Sequence, residues 1–431
     1  MATATATEMM MRRTRRAHKS VFSIAEPVRF IAALAFGLVL SGVLFVQALS
    51  SFSSLKAPQV AAWLPIQNGL SQEQLAARTL MGGVETQDDV VPSAQAASSL
   101  ALDAFRSEPL TPKAHAILAL AESNAESRAR ILAAATRINR RDLLLQGLIL
   151  EEQVKAGDYS GSLGTLDRLL KVHPEQEAAL FPVLMRALEQ QAALPVLGEI
   201  LDGSAGWHND FLDFAVRKPD ALPALADLRE RADVGSDEFE RRLIAGLAQN
   251  NRTDRAYRLF QISSGKQAAS GGAGPIDWAS DFAPFDWKLA DDRGLRAQES
   301  RREGQLDIYV RSGEGGLIAE RLIRTPSGRF GVKIGHRIMP ADQIRDVRLQ
   351  LRCAGSGTPF FDERFVRGVK VFEVGAAPAG CGFMSIGIQA RAWSGRSALR
   401  GTVDQLEIVK LAALPEKSDT GVADTEEATE E

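Results

Sequence analysis

The sequence predicts a multidomain chain of three parts: one transmembrane helix, an all-α repeat solenoid and an all-β sandwich. Three observations predict it. A run of 26 uncharged residues, Phe30 to Leu55, follows a basic segment. Apolar residues then recur at i, i+3, i+4 and i+7 through an Ala- and Leu-rich stretch, residues 94–263. After residue 275 the texture changes to short alternating runs with turn residues between them. The 431 residues allow two or three domains at ~100–200 residues each. With 45% hydrophobic and 24% charged residues, wholesale disorder and a multi-span transporter are both excluded.

The apolar run exceeds the ~20 helical residues that cross a ~30 Å hydrocarbon core. Arg12, Arg13, Arg15, Arg16, Lys19 and Arg29 precede it, and only Lys56 follows closely. Positive charge stays cytoplasmic, so residues 1–29 are expected in the cytoplasm, 30–55 in the membrane, and the bulk in the periplasm. A cleaved signal peptide, with Val46-Gln47-Ala48 as the cleavage site, is the competing reading; the long basic region and long apolar run argue against it. Gly37 and Ser41 form a small-xxx-small pair that could bring two such helices together, although small residues are also ordinary in lipid-facing helices.

Residues 56–93, with Pro58, Pro65 and Pro92, read as a linker carrying one short helix, Ser71–Leu80. Within the helical stretch Leu132, Arg137 and Ile138 recur at Leu166, Lys171 and Val172. The second copy opens on Gly157-Asp158-Tyr159 and closes on His173-Pro174, which resembles the second half of a tetratricopeptide repeat. A further copy starts at Asn250-Asn251-Arg252-Thr253-Asp254, followed by Ala256 and Phe260. Phe181-Pro182 and Ala221-Leu222-Pro223 interrupt the regularity, and Gly203–Asp220 departs from it. There, Trp207, Phe211 and Phe214 share a helical face and are expected in the core. Stacked helical hairpins of this kind are expected to bind peptides, partner proteins or themselves and to carry no chemistry.

Residues 264–275 read as a flexible hinge and 276–412 as a jelly-roll-like sandwich. The expected strands are Phe285–Leu289, Gly294–Glu299, Gln305–Val310, Leu317–Ile323, Arg329–Gly335, Asp346–Cys353, Val366–Val374, Gly382–Ala392 and Val403–Leu411. Alternation is cleanest in Val347–Cys353, with one face apolar and one charged. Cys353 ends that run on its apolar parity, and Cys381 opens the next long strand. In an oxidising compartment a disulfide between them is the natural reading, and two buried free thiols compete with it. Residues 413–431 form an acidic tail expected to be disordered.

Chemistry is sparse. The net charge is −3, and between the basic N-terminal segment and the acidic tail the chain is almost neutral, so a nucleic-acid partner is not expected. Two cysteines and five histidines leave little for a metal site, and no cofactor is expected. No nucleophile elbow, phosphate-binding loop or zinc-protease motif occurs in the sequence, so catalysis is not expected. Asp291-Asp292 and Asp362-Glu363 could be written as a glycosidase pair, but adjacent acids in turns are more often solvated. His336 reads as a lone surface imidazole.

One constellation points to a ligand. In Met384–Trp393 even positions are apolar and odd positions small or polar. Trp393 then lies on the outer face beside Arg391 and Gln389, the composition of a carbohydrate platform. A bulge that flips its parity, or packing against the helical region, would make it structural instead. Trp287 shares parity with Phe285 and Leu289 and is expected in the core.

The order of parts resembles a group of alphaproteobacterial single-pass envelope proteins, some of them associated with exopolysaccharide genes. The residues that carry the resemblance are Gly157-Asp158-Tyr159, His173-Pro174, Gly206-Trp207, Phe285-Asp286-Trp287-Lys288-Leu289 and Pro378-Ala379-Gly380-Cys381, within residues 95–411. It implies a non-enzymatic, inner-membrane scaffold in polysaccharide biosynthesis or export. In that reading the solenoid holds an envelope protein and the sandwich holds glycan or a second protein. The alternative keeps this architecture and drops the sugar: an assembly or regulatory factor for another envelope machine, such as secretion or division.

Overall fold

A computed structural model describes residues 27–59, 68–265, 273–302 and 304–412. Most of the basic segment, the greater part of the expected hinge and the acidic tail therefore lie outside the described residues. The described chain falls into two compact units that divide between Ala156 and Gly157. An apolar helix, a helical region and an antiparallel sandwich of two sheets follow one another in the order expected.

The first unit opens with α1 (Pro27–Lys56), whose stretch Val28–Ser53 is long and apolar enough to cross a membrane. Its last turns are held by protein: Ser50 and Ser53 are buried, and Asn68 Nδ2 donates to Ser50 Oγ at 2.9 Å. There follow α2 (Gly69–Gly83), α3 (Val90–Ser107), α4 (Pro112–Ala121), α5 (Ala125–Ile138) and α6 (Leu143–Lys155). The expected linker helix is α2, and it is longer and better packed than a linker would be. Ala76, Ala77 and Leu80 meet Ala94, Ala97, Ala101 and Ala104 of α3, small side chains that let the two helices lie close. Glu73 of α2 is buried and accepts from Lys113 N at 2.7 Å, satisfying a free N–H at the start of α4.

The second unit begins with α7 (Tyr159–Val172), α8 (Glu177–Leu188), α9 (Leu194–Ile200), α10 (Gly206–Ala215), α11 (Leu222–Arg231), α12 (Asp237–Gln249) and α13 (Thr253–Ser264). Asp158 caps α7 by accepting from Gly161 N at 2.8 Å, and Gly157 before it takes φ +68°, which glycine adopts without strain. Helices α5 and α7 each run 14 residues and start 34 positions apart. Pro182 sits inside α8, which continues through it. Trp207 and Phe211 are buried as expected, and Phe214 is half-buried with its ring against Phe181.

The sandwich has strands β1 (Gly274–Pro275), β2 (Lys288–Leu289), β3 (Asp291–Asp292), β4 (Leu295–Glu299), β5 (Leu306–Val310), β6 (Gly315–Arg324), β7 (Arg329–Met339), β8 (Val347–Cys353), β9 (Phe361–Arg364), β10 (Gly368–Ala376), β11 (Phe383–Arg391) and β12 (Leu399–Lys410). One sheet runs β10-β7-β12-β5-β4-β3, with β1 also on β12; the other runs β2-β6-β11-β8-β9. Every pairing is antiparallel, and the two inner faces close on one core that includes Phe330, Ile334, Leu349, Ile386 and Ile388.

Three expectations are corrected here. Phe285–Leu289 is a strand only at Lys288–Leu289; the residues before it form a turn in which Phe285 and Trp287 face different neighbours. Trp287 is 1% exposed, stacks on Trp278 at 4.8 Å and donates from Nε1 to Asp277 O at 2.6 Å. Phe285 instead meets Tyr257 and Phe260 of α13 and Phe383 of β11. The helical part of this unit is thus joined to the sandwich by a cluster of rings. His336 is no surface residue: it is 7% exposed on β7, its Nε2 donating to Val366 O at 2.8 Å. Asp291-Asp292 and Asp362-Glu363 lie on edge strands rather than in turns.

Candidate functional site

Strand β11 is central in its sheet and sets the site. Met384, Ile386, Ile388, Ala390 and Ala392 are buried, so Ser385, Gln389, Arg391 and Trp393 face outward; Gly387 shares their parity but is itself buried. A bulge does occur beside this strand. It falls on β6, where Ile388 pairs with Ala319 and Gln389 with Leu317, leaving Ile318 as the extra residue. Against β8 the register runs unbroken from Met384↔Cys353 to Ala390↔Val347. The alternation of β11 therefore persists, and Trp393 stands 47% exposed.

The Arg391 guanidinium lies over the indole, with Cζ 4.1 Å from the ring centroid. The peptide at Trp393 is fixed from both sides: its carbonyl accepts from Ser312 Oγ at 3.4 Å and from Arg396 N at 3.1 Å. The ring is thus mounted on a held backbone with its side chain in solvent. Gln389 is half-buried two residues back on the same face. The three residues that the sequence singles out are brought together, in the order Trp393, Arg391, Gln389 along one outward row.

Sequence reasoning did not name the polar residues beside that row. On β8, Arg348, Gln350 and Arg352 pair in register with Gln389, Gly387 and Ser385. Arg348 Nε donates to Asp362 Oδ1 at 2.6 Å, and Gln350 Nε2 to Asp362 Oδ2 at 3.3 Å. On β6, Glu320 accepts from Ser385 Oγ at 2.7 Å. Gly387 leaves the middle of this face low, and a Cβ there would come 3.0 Å from Leu317 Cδ1. The signal for the β8 residues was the charged parity of Val347–Cys353; nothing local showed that this strand would flank β11.

Cys353 and Cys381 are joined, with Cα atoms 5.3 Å apart, at the far end of β11 from Trp393. The acidic pairs carry ion pairs instead of facing each other: Asp291 with Arg296 at 3.1 Å, and Asp362 with Arg348. Among the described residues no cluster of three or more His, Cys, Asp or Glu could hold a metal ion.

No family model matches the chain, and no curated protein matches it. A solved carbohydrate-binding module in complex with beta-1,4-galactotriose aligns with 32% of this chain over 99% of its own length, at 13% identity and a TM-score of 0.21. At that score it says nothing of what this chain binds.

Proposed function

We propose that the protein is a non-enzymatic scaffold, held in a cell inner membrane by α1 and facing the periplasm, that serves envelope or exopolysaccharide assembly or export. The sandwich takes glycan at Trp393, Arg391 and Gln389, and the tetratricopeptide-like helices take an envelope protein partner. One observation carries the sugar: Trp393 is outward on a fixed turn with 47% of its surface in water. Leaving that much indole unburied forgoes on the order of 2 kcal/mol. A sugar ring laid on the open surface recovers it, while Arg391 and Gln389 supply hydrogen bonds. The paired carboxylates support a binding role over a hydrolytic one, since both Asp291 and Asp362 are engaged by arginines.

Retention of the anchor is supported by α1 itself. Val46-Gln47-Ala48 lies in mid-helix, and the helix continues to Lys56 into contact with Asn68 and Arg78. The N-terminus is cytoplasmic on the charge asymmetry.

The test is binding of the full chain in lipid nanodiscs to a saccharide array, native against Trp393→Ala. The native chain should bind at least one glycan class and the variant none, with unchanged melting. Identical array profiles would refute the site. A reporter fused after Leu411 should be active only if it requires the periplasm; cytoplasmic activity would reverse the topology.

A further inference from the structure

The charge balance around Trp393 narrows the ligand class. Of the other arginines on this face, Arg352 donates to Gln350 Oε1 and not to a carboxylate, while three on the face or at its rim are each neutralised. Arg311 Nη2 meets Glu314 Oε1 at 3.0 Å, Arg396 Nη1 meets Asp342 Oδ2 at 3.2 Å, and Arg348 meets Asp362 at 2.6 Å. Among the described residues no carboxylate pairs with Arg391, whose guanidinium rests on the indole. Its stem is also positioned. It crosses Gly315 of β6, where a Cβ would stand 2.7 Å from Arg391 Cγ, so any other residue there would push the arginine aside. Glu314, the residue just before that strand, is held by Arg311, and Glu320 within it accepts from Ser385 Oγ.

A guanidinium stacked on an aromatic face keeps its N–H groups in plane and its edge open. That edge is a fork whose best partner is a carboxylate, bound through two parallel N–H···O bonds; a neutral hydroxyl accepts only one of them well. We propose that the glycan is acidic: a uronic-acid residue places its carboxylate on the Arg391 fork while a sugar ring covers the open surface of Trp393. This rests on the glycan reading above and adds the charge of the ligand.

The experiment uses the full chain in nanodiscs of uncharged lipid. It is titrated with oligogalacturonate, and with the same oligomer after carboxyl reduction to the neutral galactan. The acidic oligomer should bind at least about tenfold tighter, as a charge-assisted fork exceeds neutral hydrogen bonds by that margin. The preference should fall as salt rises. Arg391→Gln should bring the two affinities together, Arg391→Lys should keep part of the preference, and Trp393→Ala should abolish both. Equal affinities for the two oligomers, with Trp393→Ala still abolishing both, would overturn the acidic ligand and leave a neutral glycan platform. An acidic preference that survives Arg391→Gln would also overturn it. Binding of neither oligomer, or binding that Trp393→Ala leaves intact, would overturn both readings.

Discussion

Replacing Phe285 by alanine should loosen α13 and the sandwich together. Phe285 is 1% exposed, and its ring centroid lies 5.2 Å from that of Tyr257, 5.4 Å from Phe260 and 6.0 Å from Phe383. Truncating a buried Phe costs about 3–5 kcal/mol, combining lost transfer free energy with the cavity left behind. Each ring pair contributes a further ~0.5–1.5 kcal/mol of specific interaction. Two of Phe285's three ring partners belong to α13, so much of the loss falls on the contact between helix and sandwich. Native-state amide hydrogen exchange reads this region by region, without requiring the whole chain to unfold in two states. Opening free energies of α13 and of β11 should both drop by about 3 kcal/mol or more. A cycle of Phe260→Ala and Phe285→Ala should show coupling of about 1 kcal/mol, since residues in contact are not additive. Loss confined to β11 with α13 unchanged, or strict additivity in the cycle, would refute the joined cluster.

Two further outcomes follow from buried chemistry. The Cys353–Cys381 bond spans 28 positions, and closing such a loop stabilises the fold by about 3.5 kcal/mol on the chain-entropy model. Cys381→Ser should therefore lower sandwich protection by that order, and mass spectrometry without reduction should find no alkylatable thiol in the native protein. Burial raises the Glu73 pKa above its ordinary 4.5, the backbone N–H groups of Lys113 and Ala114 offsetting part of the effect. A raised carboxyl holds its proton longer folded than unfolded, so the stability of the α2–α4 packing should fall as pH rises from about 4.5 through the raised value. Glu73→Gln, which can still accept from Lys113 N, should remove that slope; an unchanged slope would place the titration elsewhere.

The candidate site was legible where alternation is long and undisturbed. Nine residues of β11 keep their period, because the neighbouring bulge inserts Ile318 on β6 instead. The outward position of Trp393 could therefore be read from parity alone. The parity of Val347–Cys353 likewise placed Cys353 correctly. Parity reached the right place for Trp287 through a wrong premise, since Phe285-Asp286-Trp287 is a turn with Asp286 buried beside Arg321. Strands β1, β3 and β9 went unseen because two to four residues at a sheet edge carry no period. His336 was misread because the expected strand stops at Gly335, whereas β7 runs on to Met339 between β10 and β12 and buries it. The packing of α2 was missed because alanine stripes look like weak helix filler until a second stripe faces them. The ring cluster around Phe285 depends on residues from three elements, and sequence spacing cannot show that they meet.

Tryptophan emission tests the central claim most directly. Of the five tryptophans, Trp207, Trp278 and Trp287 are buried, Trp63 lies outside the described residues, and Trp393 stands in solvent. Titrating the nanodisc-held chain with an acidic oligosaccharide should shift its emission to the blue as a sugar ring displaces water from the indole. In Trp393→Phe, which keeps a flat ring and a Phe-sized contact, the saccharide should still bind by calorimetry while the emission stays unchanged. An emission shift that persists in Trp393→Phe would contradict the account and place the sugar elsewhere.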